Sequence, residues 1–132
     1  MSLSMYQASI PSFLRMLGNL SAILDKAATH AEVKKIDPYI FVNARLAPDM
    51  FPLSRQVQIA TDMVKGCAAR LAGIEVPSYE DNEITFADLQ ARIDKTKAFL
   101  ESVSATQIDG SEGRQITVKF GSRELGFLGQ AY

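Results

Sequence analysis

One histidine, His30, and one cysteine, Cys67, are all that this chain of 132 residues offers to the commonest hydrolytic, redox and metal chemistry. A three-imidazole or a two-cysteine, two-histidine metal site needs more copies, and any Ser-His-Asp or Cys-His arrangement would have to use His30. His30 follows Thr29 at the end of the first helix expected below, where an imidazolium would meet the favourable end of the helix dipole. Asp25 and Glu32 are the carboxylates that would complete a surface ion site there, with nothing in the sequence to order them. Cys67 falls on an apolar stripe late in its helix. The dipole there works against a thiolate, so it reads as a small hydrophobe.

The other polar candidates are weaker. Gln56, Arg92 and Thr96 stand near the inner faces of their helices. They either line a small polar cavity between helices or hydrogen-bond among themselves and to a connector, and the second reading is the plainer one. Asp49 would serve as a carboxylate at a pocket mouth, but reads better as a helix-opening cap. The run Glu80-Asp81-Asn82-Glu83 has the oxygen ligands of a Ca²⁺ site, yet lacks the spaced D-x-[DN]-x-[DN]-G loop and reads as a solvated loop. Gly110, Gly113, Gly121, Gly126 and Gly129 form no dinucleotide or phosphate-loop pattern and belong to turns. No catalytic, cofactor-binding or metal-ligating residue is assigned.

The elements that position these groups are mainly helical. From Ser4 to about Ala31, Ile10, Phe13, Leu14, Leu17, Leu20, Leu24 and Ala27 recur at helical spacing, widened by Met16 and Ile23. Pro11 predicts a helix start or a kink. Gly18 weakens the pattern by about 1 kcal/mol unless another backbone approaches it. Asp37-Pro38 opens a short helix over 39–46. Met50-Phe51-Pro52 opens the second long one, which runs to about Ala72 with Gly73 as its C-cap. Its inner face is read as Leu53, Val57, Ala60, Val64, Cys67, Ala68 and Leu71, whose small members imply close packing. A connector over 74–84 precedes Thr85 and Asp88, a capping-box pattern. The third long helix follows, with Phe86, Leu89, Ile93, Thr96, Leu100 and Val103 on one side. After Ser104 the period changes to two: 115–120 and 123–128 read as a hairpin turning on Gly121-Ser122. An isolated hairpin is marginal in water, so it must pack on the helices or on another chain.

Composition bounds the class. The chain has one domain's length, 47% hydrophobic and 22% charged residues and a formal charge of −1. With a pI near 5.8 and no basic run longer than Lys34-Lys35, it does not look like a nucleic-acid binder. No stretch of about 18 apolar residues spans a membrane. The single Cys excludes an intrachain disulfide, and the start lacks a secretory pattern. Both point to a cytoplasmic protein.

Leu46-Ala47-Pro48-Asp49-Met50-Phe51-Pro52-Leu53, Gln56-Val57-Gln58, Lys65-Gly66 and Ala69-Arg70-Leu71-Ala72-Gly73 resemble an uncharacterised bacterial family near the DinB/YfiT-like four-helix-bundle metalloenzyme superfamily. Thr85-Phe86, Leu89, Arg92-Ile93, Lys95-Thr96 and Phe99-Leu100 continue the likeness, as do Phe13-Leu14, Leu17, Leu20 and Leu24 in the opening segment. The resemblance implies an all-α, up-down-down-up bundle as a single domain over 1–132, a short β-hairpin before the last helix, and frequent dimerisation. It also implies a fourth helix beginning where Tyr132 ends this chain, which is expected to be truncated or completed by a partner's surface. The superfamily's metal site takes one His from the second bundle helix and two from the fourth. Here the second helix offers only Gln56 as an inward-leaning polar residue, so no ligand is carried over and no cofactor is expected. The function expected is that of a non-catalytic or small-ligand-binding homodimer. The alternative is a metal-dependent or thiol-transferring enzyme with its ligands in the missing helix. A weaker possibility, by fold analogy alone, is a stress-response partner protein.

Overall fold

The computed structural model describes residues 4–120 and 123–129. The order is α1 (Met5–Val33), α2 (Pro38–Val42), α3 (Leu53–Ala72), α4 (Phe86–Ser102), α5 (Ala105–Ile108), a 3₁₀ turn (Ser111–Gly113), β1 (Gln115–Phe120) and β2 (Arg123–Leu128). The helical body with a hairpin near the C-terminus is the one expected from the sequence.

Helix α1 does not start at Pro11. Its N-cap is Ser4, whose hydroxyl accepts from the Gln7 N–H while the Gln7 side chain accepts from the Ser4 N–H. That reciprocal cap, with Ser9 and Ile10 buried just beyond, carries the helix through a proline that withholds one backbone donor. Gly18 lies in open space: a Cβ added there would meet nothing within 4 Å, so no backbone approaches it.

Asp37 caps α2 through the Tyr39 N–H and Pro38 follows it, as read, but the helix ends at Val42 rather than Leu46. Helix α3 ends in a left-handed Gly73 (φ 72°), and the Arg114 guanidinium donates to the Leu71 carbonyl, placing a cation on the exposed carbonyl end. Asp49 is not its cap. The N-cap position belongs to Pro52, and Asp49 sits in a preceding turn closed by Met50 N–H to Ala47 O. Thr85 and Asp88 form the expected capping box on α4. Helix α5 and the 3₁₀ turn were not anticipated. Gln107 accepting from the Ser104 N–H at 2.8 Å is the local device that starts α5.

Helix α4 lies against both α1 and α3, which touch each other much less. Ile10, Leu17, Leu24, Val57, Leu71, Leu89, Ile93 and Leu100 form the core between them. Ile108, Ile116 and Val118 join the same cluster, so the antiparallel hairpin packs on the helices. Its register pairs Gln115 with Leu128 and Phe120 with Arg123. The Gly121-Ser122 turn lies outside the described residues. Among the described residues no helix is long and apolar enough to cross a membrane.

Candidate functional site

The inner face of α3 is only partly the apolar stripe expected from its sequence. Gln58, Thr61 and Lys65 are buried, at the three-and-four spacing that sets side chains on one face of a helix, while Ala60, Val64 and Cys67 are half-buried. Opposite them α4 contributes Arg92, and the connector between the helices contributes Glu80, Asp81 and Glu83. The connector's end is pinned to the first turn of α4 by Asp88, which accepts from the Ile84 and Thr85 N–H groups at 3.0 and 3.1 Å.

Arg92 is the centre of the arrangement, with 2% of its side chain exposed. Nε donates to Thr61 Oγ1 at 2.7 Å. Nη2 donates to Asp62 Oδ1 at 2.7 Å and to the Gln58 carbonyl at 3.4 Å. Nη1 donates to Glu83 Oε1 at 2.8 Å, to the Glu80 carbonyl at 3.2 Å, and lies 3.0 Å from Asp81 Oδ1. All five guanidinium N–H groups are thereby committed. Each neighbour is held in turn. The Thr61 hydroxyl donates back to Val57 and Gln58 carbonyls, the Gln58 amide donates to Glu83 Oε2 at 3.0 Å, and Arg55 pairs with Asp81 at 3.0 Å. Burial alone would lower the Arg92 pKa. The Glu83 hydrogen bond and the charges of Asp62, Glu83 and Asp81 outweigh it and hold the guanidinium ionised.

Beside this cluster lies an open cleft of about 450 Å³ between 78–83 of the connector and the first half of α4. Tyr79 forms part of its wall. The Lys65 ammonium stands 3.9 Å and the Lys95 ammonium 4.2 Å from the centroid of its ring, with the Arg92 guanidinium at 5.4 Å. Lys65 is buried and also paired with Asp62 at 3.1 Å.

The residues singled out by sequence do not assemble into one site. Gln56 is exposed and donates to the Phe51 carbonyl, so the inward polar residues of α3 are Gln58, Thr61 and Lys65 instead. Thr96 is buried but donates to the Arg92 carbonyl within its own helix. Only Arg92 of that trio reaches other elements. The acidic run is solvated only in part: Glu80, Asp81 and Asn82 are exposed, whereas Glu83 is 7% exposed in its side chain, and both it and Asp81 bind Arg92. His30 is exposed and meets the Phe41 ring edge-on at 5.9 Å, in a shallow second cleft with Asp25, Lys26, Thr29 and Val33. Cys67 is half-buried, and burial pushes its thiol upward against the lowering influence of Arg70.

Among the described residues no group of three or more His, Cys, Asp and Glu side chains is placed to hold a metal ion. Asp62, Asp81 and Glu83 converge on a guanidinium, and a dication among them would have to displace it. The sequence carries a signal for the individual members of the cluster, though not for their convergence. Gln58, Thr61, Asp62 and Lys65 interrupt the apolar stripe of α3 at its own period, and Arg92 does so in α4.

Comparison with known proteins bears out the family resemblance. The sequence matches the family described as Domain of unknown function (DUF1993) over residues 5–132. A DinB family member protein from Shewanella denitrificans, solved as a crystal structure, is similar at 38% identity and a TM-score of 0.81. That match covers 95% of this chain and 71% of that one. No curated protein matches.

Proposed function

The chain belongs to the DUF1993 family, and we propose that it works as a DinB-like bundle that binds a small ligand as a homodimer, without covalent catalysis of its own. The observation that carries this reading is the cleft beside Arg92. Its volume of about 450 Å³ is that of a small-molecule site. One wall is a connector locked to a saturated ionic cluster, so the concavity is pre-formed. The groups around it are a paired guanidinium, the Lys95 ammonium, carboxylates and an aromatic ring, which suit recognition. The thiol-transfer alternative fares badly, because Cys67 sits away from that cleft with its pKa raised.

The dimer is supported by Met16 and Ile23, exposed on one face of α1, and by the exposed Met63 of α3. A bacterial cytoplasmic setting is part of the same proposal, supported by the lone cysteine.

Ala91 lines the cleft without joining the Arg92 cluster and is exposed. Ala91→Phe should therefore fill the cleft and leave the cluster intact. In a thermal-shift panel of chemically varied small molecules, the reading expects compounds whose saturable stabilisation of the wild type disappears in A91F. A panel that stabilises neither protein, or both equally, contradicts it. Sedimentation at rising concentration tests the dimer, and a monomer at every concentration removes that part.

A further inference from the structure

We propose that the cleft beside Tyr79 is a site for a small organic cation, an alkylammonium group of a mono- or diamine, with the Lys95 ammonium as its intramolecular stand-in. This rests on the ligand-binding reading above and names its ligand class.

The strongest donor of the site, the Arg92 guanidinium, is already spent. Arg92 lines the cleft, but its five N–H groups serve Thr61, Asp62, Glu83, Asp81 and the Gln58 and Glu80 carbonyls, which leaves nothing to grip a carboxylate or phosphate. The N-terminus of α4, the other feature that attracts anions, is capped by Thr85 and Asp88. What the walls still offer is the neutral polar groups of Ser78, Tyr79 and Asn82, acceptor oxygen on Glu80, Glu83 and Asp88, and the face of an aromatic ring. Among the described residues lining the cleft, an entering anion would find Lys95 as the cation not paired with a carboxylate, and the carboxylates of Glu80, Glu83 and Asp88 against it.

The ring is demonstrably an ammonium platform, for it holds two of them at 3.9 and 4.2 Å, well inside the roughly 6 Å within which a cation feels the ring quadrupole. The two differ in how they are held. Lys65 is buried and tied to Asp62. Lys95 is exposed, and among the described residues its recorded partner is the ring alone. A compact ammonium on a flexible stem can swing into water at little cost. An amine from solution would then take the vacated position on Tyr79, and a second ammonium of a diamine would reach the carboxylates of the opposite wall.

The probes are 1,4-diaminobutane, succinate and 1,4-butanediol, titrated against the wild type and variants by thermal shift and by NMR of the tyrosine ring resonances. Diaminobutane should bind saturably, and the other two should not. Tyr79→Leu should weaken the diamine about tenfold, and Lys95→Met, which removes the internal competitor, should strengthen it by about the same factor. If Y79L fails to fold, Glu80→Gln, on an exposed side chain, is the substitute and should weaken the diamine several-fold. Succinate binding that Y79L abolishes would overturn the cation class while sparing the pocket, whose own test is A91F. Diamine binding unchanged in both variants, or no diamine binding even to K95M, would overturn the proposal outright.

Discussion

Helix α4 meets α1 and α3 along two seams of opposite construction. Toward α1 a single neutral amide carries the polar contacts. Gln90 accepts from the Ser21 hydroxyl at 2.6 Å and donates to the Ser21 carbonyl and to Asp25, each at 2.9 Å, at the partly exposed edge of an apolar interface. Toward α3 a buried guanidinium gathers three carboxylates, two carbonyls and a hydroxyl, and in doing so ties the 80–83 connector down. Water can replace the first set of contacts at small cost. In the second it reaches Asp62 and Asp81, but hardly Arg92 and Glu83, at 2% and 7% side-chain exposure, so deleting one of that buried pair strands charge. The charged seam is therefore less a source of net stability than a device that fixes one arrangement of α3, α4 and the connector, which is what a pre-formed cleft requires.

The largest expected effect breaks the charged seam. Arg92→Ala should cost about 3–5 kcal/mol in denaturant unfolding. Most of that loss belongs to Glu83, whose side chain is 7% exposed, because Asp62 and Asp81, at 41% and 43%, can turn to water. A loss below about 1 kcal/mol would mean the cluster is solvated, as surface pairs are. The neutral seam should respond less: Gln90→Ala is expected to cost about 1 kcal/mol. Equal losses from the two substitutions would erase the distinction between the seams.

The connector's anchor supplies a pH test. The backbone N–H bonds from Ile84 and Thr85 hold the Asp88 carboxyl below its ordinary value. The folded state therefore binds this proton less readily than the unfolded chain. Its contribution is complete above the ordinary carboxylate range and is lost as pH falls through the folded value, below about pH 4. Asp88→Ala should flatten the acid limb of a stability–pH curve relative to wild type. An unchanged limb would show the cap is not formed. The smallest effect has the opposite sign. Gly18→Ala on the open side of α1 should stabilise by about 0.5–1 kcal/mol, and destabilisation there would reveal that a partner covers that face.

How much of this was legible in the sequence differs between the two seams for a physical reason. Apolar periodicity announces helices and their greasy sides, so α1, α3, α4, the Thr85-Asp88 cap, the Gly73 cap and the hairpin were readable. Pro11 misled because the Ser4–Gln7 cap lies upstream of it, and α5 was missed because four residues carry no period. The charged seam was invisible as a unit. Its members sit in three separate segments, each bland alone: polar interruptions on α3, one arginine on α4, and an acidic loop that looked solvated. Only their convergence on Arg92 gives them meaning, and convergence is a property of the fold. Gln56, two residues before Gln58, shows how a shift of about 200° around a helix separates an exposed amide from a buried one.

The most direct test of the charged seam is a double-mutant cycle on Arg92→Met and Glu83→Gln, with unfolding free energy as the readout. The account predicts a coupling of about 2 kcal/mol or more, the two changes together costing far less than their sum. A coupling within about 0.5 kcal/mol of zero would contradict it, because Arg92 would then not be what holds the connector against α3 and α4.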